Sequence, residues 1–202
     1  MPRPALALLG LLACCIIPAI AAAQLEARSR SANMAPPSAV WRLGDPADRA
    51  PRILSFVNLQ TKEVTTAVYR SDGVYLRPQL DRLDRFLRDR RSGTQVALDP
   101  RLYDILWLIQ KRLGSKGAWH VASAYRSPKT NAWLATTHNG VARDSLHMRG
   151  QAIDVMLPGY SVEKIRATAA ALGLGMGGIG TYPNSGFVHI DTGALRQWNG
   201  GS

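Results

Sequence analysis

The chain predicts an α+β fold, a largely antiparallel sheet flanked by helices. Three observations carry this. Two strand-like runs lie close together after residue 50, and a second pair lies near residue 190. Between them, apolar residues recur at helical spacing. Strands and helices do not alternate as regular βαβ units, and no internal repeat occurs, which argues against a doubly wound parallel sheet.

The elements follow in order. Arg52–Leu59 and Glu63–Arg70 read as two strands joined by a tight turn at Gln60-Thr61-Lys62. Leu80, Leu83, Phe86 and Leu87 recur as the apolar face of a helix. Asp99-Pro100 is an N-cap followed by proline, and opens a second helix. Its apolar face is Leu102, Ile105, Leu106, Ile109 and Leu113, and Gly114 ends it. Trp119–Ala124 reads as a strand, Pro128–Ala135 as a short helix and His138–Asp144 as a loop. Ile153–Leu157 is a further strand. Ser161 caps a helix carrying Val162, Ile165, Ala169 and Leu172, which Gly173 terminates. Gly178–Tyr182 and Phe187–Asp191 form a hairpin around Pro183-Asn184-Ser185-Gly186.

The first 50 residues are of another kind. Residues 1–23 carry one charged side chain, Arg3, then an apolar run ending in Ala21-Ala22-Ala23. This reads as a secretory signal peptide cut after Ala23, which implies export to the periplasm. A single membrane anchor is the alternative, against which Pro18 and the small-residue end argue. Both cysteines, Cys14 and Cys15, fall in this segment, so the mature chain has no thiol for a disulfide, a metal or catalysis. Leu11-Leu12-Ala13-Cys14 resembles a lipobox, but the apolar run continues past it, so lipidation is the minority reading. Residues 24–50, rich in Ala, Pro, Ser and Arg, read as a flexible linker. The domain is expected over 51–202.

The formal net charge is +11, and about +10 without Arg3. Such a balance favours an anionic partner. For an exported protein that partner is carboxylate-rich peptidoglycan rather than nucleic acid, for which no binding motif is present. A monomer is expected.

Two stretches carry the chemistry. In SLHMRGQAIDVM (145–156), His147 and Asp154 stand seven positions apart. A helix would separate them by about 10 Å and a strand by about 23 Å. A shared metal therefore needs a bend between them, which Gly150 permits because it tolerates positive φ. Taken alone, this stretch fits a buried histidine and an ordinary turn aspartate at least as well. In GFVHIDTG (186–193), alternation along a strand aims His189 and Asp191 at one side and Val188 and Ile190 at the other. His189 could be a third metal ligand, and Asp191 could hold a water on that metal. Two histidines and a carboxylate leave a tetrahedral zinc ion one open position, as in catalytic zinc sites. Arg126, just past a strand end in SAYRSP (123–128), is the candidate for stabilising an oxyanion. Its alternative is an ordinary surface arginine.

These stretches together resemble a known family. Ser145, His147, Gly150, Ala152 and Asp154 match S-x-H-x-x-G-x-A-x-D. Tyr125-Arg126-Ser127 lies upstream, and GGIGTYPNSGFVHIDTG (177–193) and Arg196-Gln197-Trp198 lie downstream. The set resembles the murein endopeptidase K family over about residues 50–200. That family is related to zinc D-Ala-D-Ala peptidases and the hedgehog signalling domain. The resemblance implies that wider group's fold and an exported zinc peptidase cutting peptide cross-links of peptidoglycan. It implies His147, Asp154 and His189 as zinc ligands, with Arg126 on the oxyanion.

One departure stands out. Many relatives place a catalytic Glu or Asp three residues before the last histidine, where this chain has Gly186. Asp191 is therefore the default base, with His138 as a further possibility and His120 structural. A D-alanine carboxypeptidase and a non-catalytic zinc-bearing wall-binding module stay open, as does the cross-link type, 3–3 or 4–3.

Overall fold

A computed structural model describes residues 49–138, 140–175 and 177–200. The leader predicted over 1–23 and all of the predicted linker but its last two residues lie outside the described residues. Eight strands form one sheet: β1 (Arg52–Asn58), β2 (Val64–Ser71), β3 (Val74–Tyr75), β4 (Trp119–Ser123), β5 (Ala152–Met156), β6 (Gly178–Tyr182), β7 (Phe187–Asp191) and β8 (Arg196–Asn199). Their order across the sheet is β3-β2-β1-β4-β5-β7-β6-β8. β1 runs parallel to β4 and β6 parallel to β8, while every other neighbouring pair is antiparallel. The described residues also form four α-helices, α1 (Arg77–Phe86), α2 (Arg101–Leu113), α3 (Pro128–Thr137) and α4 (Val162–Ala171), and a 3₁₀ turn at Leu146–Arg149. The fold is α+β with a mixed, mostly antiparallel sheet.

Local chemistry explains these elements. Leu54 and Phe56 alternate inward along β1. The Asn58 side-chain oxygen accepts the N–H of Gln60 (2.9 Å) and Thr61 (3.1 Å), folding the turn into β2. Leu80, Leu83 and Phe86 of α1, and Leu102, Ile105, Leu106 and Ile109 of α2, enter one core with Trp119, Val155, Val188 and Ile190. α1 packs on β2, α2 on β1 and α4, and α4 on β6 and β7. The Ser127 and Ser161 hydroxyls cap α3 and α4 by accepting the N–H of Thr130 (3.2 Å) and Lys164 (3.2 Å). The second predicted helix starts at Arg101, whose N–H donates to the Asp99 carboxylate at 3.0 Å.

Three features differ from the sequence reading. β3 has two residues and β8 is largely polar and exposed, so neither shows apolar alternation. α3 runs two residues past Ala135, because the Thr136 and Thr137 hydroxyls donate back to the Trp133 carbonyl at 2.7 and 3.0 Å. A charged cluster also lies buried between α2 and the first strands. Asp104, fully buried, accepts from Arg52 Nη1 (2.7 Å), Tyr69 (2.9 Å) and Tyr75 (2.7 Å), and faces Arg70 Nη1 at 3.6 Å.

Among the described residues, no helix is long and apolar enough to cross a membrane.

Candidate metal centre

The seven-residue spacing between His147 and Asp154 is spanned by two local structures. Ser145 caps the 3₁₀ turn by accepting the His147 N–H at 3.4 Å. Gly150 ends the turn at φ +66°, and a Cβ there would stand 2.7 Å from the Ala97 carbonyl oxygen. The chain then enters β5, where Asp154 lies directly opposite His189 of β7. Val188 and Ile190 face the core, which leaves His189 on the other side of the sheet.

The three side chains converge on one point. Asp154 Oδ1 lies 2.8 Å from His189 Nδ1 and 3.2 Å from His147 Nε2, and the two ring nitrogens are 3.2 Å apart. All three residues are buried.

The outer atoms of each ligand are already engaged. His147 Nδ1 sits 2.6 Å from the Ala124 carbonyl oxygen, so that nitrogen carries the proton and Nε2 presents a lone pair. His189 Nε2 donates to Asp191 Oδ2 at 3.2 Å, which turns the lone pair of Nδ1 inward. Arg126 Nη2 donates to Asp154 Oδ2 at 2.5 Å, leaving Oδ1 to the centre.

Three lone-pair atoms thus face one another and require a positive charge between them. A proton on His189 is one solution. Burial opposes that charge, but the hydrogen bonds that protonated His189 donates to Asp154 and Asp191 outweigh it and drive the pKa up to about 9. Burial pushes His147 below its usual range, and Asp154 is held well below the carboxylate range by both histidines against its own burial. A metal ion is the other solution. The 2.8–3.2 Å spacing is close to the roughly 3.4 Å edge of a tetrahedron with 2.1 Å bonds. The residues therefore fit a metal ion, and His147, Asp154 and His189 could hold it.

The triad opens onto a cavity of about 690 Å³, whose lining includes Arg126, His138, Asp144, Tyr182, Arg196 and Trp198.

A family model described as Peptidoglycan L,D-endopeptidase MepK matches residues 46–198. The chain belongs to this family. The Escherichia coli and Shigella flexneri proteins named Peptidoglycan L,D-endopeptidase MepK are each 41% identical over 148 residues, covering 73% of this chain and 80% of theirs. A Haemophilus influenzae protein named Probable peptidoglycan L,D-endopeptidase MepK is 37% identical over 151 residues, covering 74% of this chain and 80% of its own. No solved structure matches the chain.

Within this MepK-family site, Asp191 occupies a different place from the one expected of a base. It is fully buried and outside the lining of the cavity. Its Oδ1 accepts the N–H of Gly178 (2.8 Å) and Gly193 (2.8 Å), and its Oδ2 accepts from His189 (3.2 Å) and Arg196 (2.7 Å). Burial would raise its pKa, but these donors hold it low. The carboxylate thus contacts the Nε2 side of the His189 ring and is enclosed by its donors. Only a glycine fits at 178, since a Cβ there would collide with the Asp191 carboxylate.

Arg126 lines the cavity, with Nε on the Ser123 hydroxyl at 2.8 Å and one terminal nitrogen on Asp154. Gly186 closes the β6–β7 turn and offers no carboxylate. His138 lines the cavity with Nδ1 2.8 Å from the Thr137 hydroxyl, whereas His120 pairs within β4 away from it. The sequence reading missed Asp144 and Tyr182 as cavity residues, and took Arg196 and Trp198 only as parts of a motif. The Trp198 ring lies 5.3 Å from the His189 ring, tilted at 52° to it, and a tryptophan in the shared Arg-Gln-Trp element was the available signal.

Proposed function

We propose that this chain is a zinc-dependent peptidoglycan endopeptidase that hydrolyses L,D-peptide bonds in cross-links. The observation that carries the reading is the set of three inward lone pairs at the floor of an open cavity, in a chain of the MepK family. The relatives' L,D designation favours the 3–3 cross-link.

His147, Asp154 and His189 would hold zinc, whose donor set of two histidines and one carboxylate suits a catalytic site with an open position. When bound, zinc supplies a Lewis acid that polarises the scissile carbonyl and acidifies a water. Asp191 fixes the His189 ring and its tautomer. Arg126 holds Asp154 and presents the rest of its guanidinium to the cavity, where a developing oxyanion would be stabilised. Hydrolysis adds water across the amide, so the carbonyl carbon gains a hydroxyl and the departing nitrogen a proton.

That proton must pass through a group facing the cavity. His138, Asp144 and Tyr182 line it. Of Asp144→Asn, His138→Gln and Tyr182→Phe, the substitution at the proton carrier should lower kcat by about 10²–10⁴ with zinc content unchanged. A loss in none of the three returns the role to Asp191.

The predicted leader at 1–23 supports export to the periplasm, where the mature chain would act as a monomer over a domain beginning near residue 51. The deciding experiment treats purified sacculi with the protein, with and without chelator, and weighs the muropeptides. Loss of cross-linked dimers that chelator abolishes supports the proposal. Loss of terminal alanine alone makes it a carboxypeptidase. Binding to sacculi with no new muropeptide makes it a wall-binding module.

A further inference from the structure

A second cavity of about 250 Å³ borders the one at the candidate metal centre. Arg126, Leu134 and His138 line both. The second cavity is walled by the segment after α1, by α3 and by the end of β4. Its chemistry is basic. Arg88, Arg90 and Arg91 all contribute to its lining, beside Arg126.

The carboxylate in that lining, Asp89, is buried and already saturated. It accepts the N–H groups of Ser127 (2.9 Å) and Arg91 (2.9 Å) and the Ser92 hydroxyl (3.0 Å). Arg88 is shared with Glu63 at 3.1–3.3 Å. Arg91 is exposed, with its guanidinium carbon 3.6 Å from the Trp133 ring centroid in a cation–π contact, and has no carboxylate partner among the described residues. Arg90 is exposed and likewise has none.

We propose that this second cavity is an anion subsite that receives a free carboxylate of the peptide being cut. The inference rests on the endopeptidase reading and extends it to substrate selection. A planar guanidinium matches a carboxylate with two parallel N–H donors. Stacking on Trp133 pre-organises Arg91, so less side-chain entropy is lost on binding. Because Arg126 belongs to both cavities, a peptide lying across the metal centre can place a neighbouring carboxylate among Arg90 and Arg91. The substrate class is a cross-linked peptide with an unamidated carboxylate beside the scissile bond.

The test uses the zinc-loaded protein and two cross-linked muropeptides, one with free and one with amidated carboxylates. Binding is read by calorimetry and cleavage by steady-state kinetics. For wild type, amidation should weaken binding about tenfold. Arg90→Gln combined with Arg91→Gln should cause a similar loss on the free-carboxylate peptide, through KM rather than kcat. Amidation and the double substitution together should cost little more than either alone, because both remove one interaction. Lys116→Gln, which removes one positive charge, as Arg90→Gln alone does, at an exposed residue outside both cavities, should leave affinity unchanged.

Equal binding of the two peptides by wild type overturns the subsite. So does an equal loss in Lys116→Gln, which would reveal only diffuse attraction. Arg90→Gln alone keeps the test alive if losing Arg91 disturbs Trp133. If wild type cuts neither peptide, the endopeptidase reading fails, and the calorimetric comparison still decides the subsite.

Discussion

His189 is held from both sides of its ring, by the centre at Nδ1 and by Asp191 at Nε2. In the proposed mechanism Asp191 is a positioning residue. Asp191→Asn should weaken zinc affinity about 10–100-fold, measured by competition with a chromophoric chelator. At saturating zinc most activity should return. A base would instead lose kcat at full zinc occupancy, so the two roles separate cleanly. Gly178→Ala should push the Asp191 carboxylate off His189 and weaken zinc binding in the same assay, although residue 178 touches no ligand directly. At this scale the convergence of His147, Asp154 and His189 was legible in the sequence. Alternation along FVHID placed His189 away from the core, and Gly150 marked the bend. The role of Asp191 was not legible, because its partners Gly178 and Arg196 come from β6 and β8, which only the folded sheet brings alongside.

At the scale of elements, Asp89 ties the end of the α1 segment to the start of α3 through the Ser127 N–H. Burial would raise its pKa, but hydrogen bonds from Ser127 and Thr130 and from the Ser127 and Arg91 N–H groups hold it far below the usual range. A depressed carboxylate stabilises the fold above its unfolded pKa, about 3.9, and that contribution fades as pH falls toward the folded value. Asp89→Asn should therefore cost about 1–3 kcal/mol at pH 7, and the gap to wild type should narrow below about pH 4. Urea unfolding at both pH values checks this. If the gap is the same at both, the ionised form is not what holds α3. The principal helices and the two hairpins were legible from periodicity and turn residues. β8 was not, since RQWN has no apolar face and owes its strand form to pairing with β6.

For the whole molecule, two buried charge centres set the stability. Asp104 neutralises Arg52 beside a second buried arginine, Arg70. Asp104→Ala should destabilise by about 3–5 kcal/mol, because it removes the buried carboxylate that accepts from Arg52, Tyr69 and Tyr75. A loss under 1 kcal/mol in denaturant unfolding would show that these arginines rearrange to water. The metal centre is the other. At a thousandfold excess over its Kd, a bound ion adds about 4 kcal/mol, or about 8–16 °C in Tm for a domain of this size. Scanning calorimetry with and without chelator should show that shift. It should shrink as pH falls below about 9, where a proton on His189 competes with the ion.

The three residues are separated by up to 42 positions in sequence, with Asp154 and His189 on neighbouring inner strands and His147 in the 3₁₀ turn before β5. An ion there works as a removable staple. Without an ion there, β5 and β7 should open to proteases more readily. Cellular half-life should then follow zinc supply even at constant synthesis, so a zinc-starved cell would lose the polypeptide itself along with its activity. Pulse-chase immunoblots in zinc-limited and zinc-replete cells would reveal this, and His147→Ala should turn over fast in both.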